Sequence, residues 1–143
     1  DTGLQIKKYF SEVLWEGEKD MAWRIGDFGF EMRLSQYIPS LLNQGIRGLR
    51  DLFESKFNFS QVQHVAIHPG GKQILIQVQQ AFGLAPDVNR HAFEVLRTCG
   101  NMSSASILFV LERMMQDDCI QGEILALGFG PGLTLETSLF EKR

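Results

Sequence analysis

Hydrophobic periodicity changes abruptly at Pro69, and this constrains the fold more than any other feature of the chain. Val65–Ile67 form a short, strongly apolar run that reads as a strand, and "HPGG" (68–71) ends it, because proline cannot donate to a strand ladder. The next segment, "KQILIQVQQAFG", places Ile74, Leu75, Val78 and Phe82 at helical spacing, with Gly83 as its stop. A strand delivered through a tight turn into an amphipathic helix is a unit of α/β architecture.

The rest of the chain fits a mixed layer structure. Residues 4–15 are compatible with strand or helix. "MAWRIGDFGFEMRLS" (21–35), with its partial alternation, aromatic content and glycines at 26 and 29, predicts two short strands around a turn. "YIPSLLNQGIRGLRDLFESKF" (37–57) has helical spacing, with Pro39 in the first turn. "APDVNRHAFEVLRTCG" (85–100) predicts a shorter helical stretch. From Ser106, the residues Ile107, Leu108, Val110, Leu111, Met114 and Met115 predict a helix with a broad buried face. "EILALGFGPGLTLETSLF" (123–140) reads as two β runs joined at Pro131-Gly132, which suit positions i+1 and i+2 of a type II turn. No internal repeat or long linker divides the 143 residues, so a single domain over 1–143 is expected.

Composition excludes several function classes. At 44% hydrophobic and 22% charged residues the chain is globular rather than disordered. A net charge of −3 with no Lys/Arg stripe argues against nucleic acid as a partner. No apolar run approaches the roughly 20 residues of a spanning helix, so no membrane association is expected. Cys99 and Cys119 lack zinc or redox spacing and read as free thiols of a cytoplasmic protein. His64 and His68 form an HxxxH pair, but on a strand their Cα atoms lie about 13 Å apart, too far to share one ion. No metal site is expected. The chain starts at Asp1 without an initiator Met, which fits a fragment or processed chain.

Two residues stand out chemically. His68 follows the carboxyl end of an apolar strand, where ligand crevices of α/β sheets open, although an ordinary loop histidine fits the same pattern. Asn101 follows Gly100 at the mouth of the helix, either as a turn residue ahead of a Ser103 or Ser104 cap or as an amide donor aimed into a cavity. Cys99 has only Arg97 as a nearby cation and is a weak candidate nucleophile. "GFGPG" (128–132) lacks phosphate-loop spacing.

Taken together, "AIHPGG" (66–71), "GNMSSASILFVLERM" (100–114) and "GFGPGLTLET" (128–137) resemble the C-terminal region of type III polyketide synthases, the chalcone- and stilbene-synthase-like enzymes, in order and separation. "GFEMRLSQYIPSLL" (29–42) resembles the preceding strand and helix more loosely. The resemblance implies an α/β fold: the C-terminal half of a thiolase-like fold, a mixed β-sheet packed with helices. It implies that His68 and Asn101 match the family's catalytic histidine and asparagine. The family's nucleophilic cysteine belongs to an N-terminal half, and neither Cys99 nor Cys119 lies in its motif.

The implied reaction is decarboxylative Claisen condensation of malonyl-CoA with an acyl-CoA starter, with His68 and Asn101 as oxyanion donors. Coenzyme A thioesters are then substrates, and no cofactor is implied. Gly70 and Gly71 would border the pantetheine tunnel, Ser103 would lie beside the cavity, and Gly130, Pro131 and Gly132 would shape its wall. Alignment on Pro39 places Met32 at the family's gating phenylalanine, whereas a shift favours Phe30. The expected partners are the N-terminal half and a second copy in a homodimer, and the isolated chain is expected to be inactive. The alternative is a stand-alone, non-catalytic CoA- or partner-binding module of the same fold.

Overall fold

The computed structural model describes residues 3–15, 18–19, 21–34, 51 and 53–143. In chain order the strands are β1 (Leu4–Val13), β2 (Met21–Gly26), β3 (Gly29–Leu34), β4 (His64–Ile67), β5 (Gly122–Gly130) and β6 (Thr134–Lys142), and the helices are α1 (Lys72–Phe82), α2 (Arg90–Cys99) and α3 (Ser106–Gln116). Four strands form one mixed sheet in the order β1-β6-β5-β4, and β2 and β3 pair separately. This is the α/β arrangement expected from the sequence.

Residues 4–13 are strand because of a distant partner. β1 runs antiparallel to β6 from Leu4↔Lys142 to Val13↔Thr134, with one irregularity between Ile6 and Lys8. β6 in turn pairs antiparallel with β5 through the turn at Pro131-Gly132. Gly132 sits at φ +100°, the left-handed conformation that position i+2 of a type II turn demands. β4 runs parallel to β5, with Ala66 opposite Ala126. Val65, Ala66, Ile67, Ile124, Leu125 and Leu127 are all buried, the near-continuous apolar run of strands covered on both faces. β6, by contrast, buries Leu135, Thr137 and Leu139 in strict alternation.

The helices pack on this sheet. α1 turns Leu75, Val78 and Phe82 into the core, and Gly83 ends it at φ +64°. Phe82 stacks on Phe53 with ring centroids 5.3 Å apart, and Phe59 packs at 5.1 Å from Phe82. Residues 53–57 are helical. The remainder of the helix expected over 37–57 lies outside the described residues, apart from Asp51. The helical stretch expected from residue 85 begins only at Arg90. Ahead of it, Val88 N–H donates to Ala85 and Arg90 N–H to Asp87, turns that occupy the segment after Pro86.

α3 corrects one expectation. Val110, Leu111 and Met114 are buried as expected, and Ile107 partly so, but Leu108 is 63% and Met115 39% exposed. Seven residues apart, these two share a stripe on the far side of the helix from Val110, and no described residue covers it.

The β2–β3 hairpin runs in register from Met21↔Leu34 to Gly26↔Gly29. Trp23, Ile25 and Phe30 share one face, and with Phe28 at the tip they are all exposed. Trp23 and Phe30 pack edge-to-face at 6.5 Å. No described helix is long and apolar enough to cross a membrane.

Candidate active site

The parallel strands β4 and β5 deliver their carboxyl ends to the same edge of the sheet. His68 extends the ladder by one residue, its N–H donating to Leu127 O at 2.8 Å. Pro69 then forces a tight reversal in which Gly70 N–H donates back to His68 O at 2.8 Å. α1 opens immediately, with Leu75 N–H bonded to Gly71 O. His68 is therefore held by the sheet on one side and by a helix start on the other. Its ring is partly buried, and burial alone lowers its pKa below 6.5. At neutral pH the imidazole is uncharged: one ring nitrogen donates and the other accepts.

Gly70 shows why glycine follows. A Cβ here would sit 3.3 Å from Ile74 Cδ1, 3.5 Å from His68 Cδ2 and 3.8 Å from His68 Nε2. The backbone therefore approaches the imidazole directly. At Gly71 a Cβ would meet nothing within 4 Å.

The second arm of the site arrives from α2. Gly100 ends that helix at φ +72° and ψ −165°, a conformation essentially reserved for glycine. Its N–H closes the last turn onto Leu96 O. Asn101 follows and is fixed by two hydrogen bonds. Its Nδ2 donates to Gly70 O at 3.1 Å, and its Oδ1 accepts from Ser103 N–H at 2.9 Å. The side chain is exposed, and one amide proton has no partner among the described residues.

Ser103 occupies the left-handed region at φ +59°, a conformation that costs a non-glycine residue on the order of 1 kcal/mol or more. Neither Ser103 nor Ser104 caps the helix, because a 3-10 turn (Ser103–Ala105) intervenes and no side chain caps either segment. Met102 N–H donates instead to Ser106 Oγ at 2.7 Å.

His68, Gly70, Gly71, Asn101 and Ser103 thus form one connected group. Gly130 ends β5, three residues beyond the Leu127 whose carbonyl accepts the His68 N–H, and Pro131 and Gly132 follow it. A Cβ on Gly130 would fall 2.7 Å from Thr134 Oγ1. Gly132 N–H donates to Met21 O at 2.8 Å, which ties this turn to the base of the hairpin. Met32 is opposite Trp23 on β3, and its side chain lies outside the described residues. Phe30, the alternative gate position, is on the exposed apolar face.

Cys99 is exposed, its Sγ 3.4 Å from Thr98 Oγ1. Among the described residues no group of three or more His, Cys, Asp or Glu is placed to hold a metal ion. The link from Asn101 to Gly70 O had no signal in the sequence, since it joins two loops whose approach depends on how α2 and α3 pack against β4.

Comparison with known proteins identifies the family of the chain. Residues 5–142 match the family model of chalcone and stilbene synthases, C-terminal domain. The chain is 30% identical over 141 residues to the alpha-pyrone synthesis polyketide synthase-like Pks18 of Mycobacterium tuberculosis, covering 95% of this chain and 36% of that protein. Among solved structures, 1,3,6,8-tetrahydroxynaphthalene synthase of Streptomyces coelicolor, a bacterial type III polyketide synthase, superposes with a TM-score of 0.88 at 26% identity, covering 99% of this chain and 42% of that one. PKS-I of the brown alga Ectocarpus siliculosus gives a TM-score of 0.87 at 26% identity, over 98% of this chain and 40% of that one. The chain thus spans about 36% of the length of the curated relative it matches.

Proposed function

Given that the chain belongs to the family of chalcone and stilbene synthase C-terminal domains, we propose that it supplies the oxyanion donors of a type III polyketide synthase that condenses malonyl-CoA with an acyl-CoA starter. The observation that carries this reading is the Asn101 amide, fixed against Gly70 O at 3.1 Å beside the imidazole that flanks the same glycine.

The chemistry follows from where charge develops. When malonyl-CoA loses carbon dioxide, the electron pair of the breaking carbon–carbon bond passes into a thioester enolate, and its oxygen becomes negative. His68 Nε2–H and the unused Asn101 N–H are two donors available to that oxygen. Each fixed donor contributes on the order of 3 kcal/mol to lowering the barrier, about a hundredfold in rate. Neutral donors suit this chemistry, because an amide holds its proton at every working pH, whereas a carboxylate at position 101 would repel the enolate. Burial of His68 favours the neutral imidazole, whose N–H polarises the oxygen without depending on a proton from solvent.

The enolate carbon then attacks the carbonyl of an acyl group held as a thioester on a cysteine, forming a carbon–carbon bond while the carbon–sulfur bond breaks and the cysteine leaves as its thiolate; that cysteine is assigned to the N-terminal half. The isolated chain is accordingly inactive in this reading. Gly70 and Gly71 leave room for the pantetheine arm, Ser103 lies beside the cavity, and Gly130, Pro131, Gly132 and Met32 shape it around the growing chain. Coenzyme A thioesters are substrates and no cofactor takes part. The working form is a cytoplasmic homodimer that includes the N-terminal half.

A non-catalytic CoA- or partner-binding module is the second reading, favoured by the exposed apolar face of the β2–β3 hairpin. Malonyl-CoA decarboxylation in the protein that carries this chain with its cysteine-bearing half separates the two. A loss of about a hundredfold on His68→Ala or Asn101→Ala is expected for the catalytic role. Unchanged rates would overturn it in favour of the binding module.

A further inference from the structure

Ser106 is the first residue of α3 and is fully buried. A serine at a helix start ordinarily turns its oxygen forward onto the N–H groups of its own first turn. Here the hydroxyl reaches backward, and its Oγ accepts the N–H of Met102 at 2.7 Å. That N–H belongs to the planar peptide joining Asn101 to Met102, so the bond fixes the orientation of the peptide attached directly to the Asn101 Cα.

The two direct partners of the Asn101 side chain, Gly70 O and Ser103 N–H, are themselves loop groups, and Ser103 is held in a left-handed conformation. Ser106 is different because it is rooted in a helix whose Val110, Leu111 and Met114 are in the core. Resting on the reading of Asn101 as an oxyanion donor, we propose that Ser106 is its positioning residue. Its hydroxyl oxygen anchors the 100–105 loop to α3 and so sets where the free amide proton of Asn101 points. Placement of this kind matters because a misplacement of about 1 Å costs on the order of a hundredfold in rate.

The test uses isosteric replacements, which share any overpacking and differ in the acceptor alone. In the protein that carries this chain with its cysteine-bearing half, Ser106→Thr is expected to retain malonyl-CoA decarboxylation. Ser106→Val is expected to lower kcat on the order of tenfold with KM unchanged. Ser106→Ala, which removes only the oxygen, should match Val and stands in if the valine variant fails to fold. Combined with Asn101→Ala, the Ser106 loss should vanish, because there is no longer an amide to place. Equal kcat for Thr and Val would overturn the inference, as would a Ser106 loss that persists in full without the Asn101 amide. If Asn101→Ala alone leaves decarboxylation unchanged, the oxyanion reading itself fails and the positioning role falls with it.

Discussion

The side-chain amide of Asn101 donates to the carbonyl oxygen of Gly70 at 3.1 Å, joining two loops that lie 31 residues apart. Gly70 in turn has no Cβ between its backbone and the His68 ring. One glycine therefore sets the spacing of both proposed oxyanion donors, through its carbonyl on one side and its bare Cα on the other.

Asn101→Asp tests the donor more severely than truncation. The aspartate has no N–H for Gly70 O, and it places a negative charge where the enolate forms. Decarboxylation should fall by more than the roughly hundredfold expected of Asn101→Ala. The free energy of unfolding from a denaturant titration should fall by no more than about 1–2 kcal/mol, since the side chain is exposed. An Asp variant more active than the Ala variant would contradict the assigned charge.

Gly70 and Gly71 should separate folding from binding. Gly70→Ala presses its Cβ to 3.3 Å from Ile74 Cδ1 and fills the space beside the imidazole at 3.5 Å, so both kcat and thermal stability should drop. Gly71 has an extended backbone open to any residue, and its Cβ would enter free space. Gly71→Ala should therefore leave the melting temperature unchanged and raise KM for acyl-CoA. Unaltered kinetics in Gly71→Ala would show that the pantetheine arm runs elsewhere.

Acid should weaken the fold through its histidines. His64, His68 and His91 all have pKa values lowered from 6.5, burial being the first cause in each. For His91 burial outweighs the Asp117 carboxylate that it meets at 2.9 Å. The unfolded chain takes up protons near pH 6.5 while the folded chain resists them. These groups therefore leave stability level above that value and erode it as pH falls towards the lowered values. Asp117 adds nothing in this window: the Arg90 guanidinium, then the Cys119 N–H, hold its carboxyl well below the usual carboxylate range. Urea midpoints between about pH 7.5 and pH 5 should decline, and a midpoint that rises on acidification would refute the sign.

The hairpin gives a prediction about association. Trp23, Ile25, Phe28 and Phe30 are 51%, 88%, 105% and 75% exposed, a contiguous apolar surface of the kind that marks interfaces. The isolated chain should self-associate as its concentration rises, and paired Phe28→Ser and Phe30→Ser substitutions should shift sedimentation back towards the monomer. A single monomeric species over a wide concentration range would argue against an interface role for this face.

Much of this geometry was legible locally. The strand ended by Pro69, the helix stopped at Gly83, the hairpin over 21–34 and the turn at Pro131-Gly132 each depend on residues within one turn or one strand of each other. What was not legible depends on partners far along the chain. Residues 4–13 are strand only because β6 pairs with them. The role of Ser106 has no local signal, because a serine near a helix start fits a cap equally well and the intervening 3-10 turn ahead of it has no periodic signature. Leu108 and Met115 look like core residues by hydrophobicity, yet their angular position on α3 turns them away from the sheet.

The pairing of Leu4 with Lys142 also sets a timetable for synthesis. Among the described strands of this chain β1 is made first, yet the strand it pairs with, β6, is made last. At roughly 5–20 residues per second, β1 waits on the order of ten seconds for β6. Meanwhile β4 can find β5, and the helices can settle on that pair. The parallel pair β4–β5 should therefore form the early nucleus and the β1–β6 ladder should close last. Lys7 and Lys8, both on β1, would guard the waiting strand against pairing with another chain.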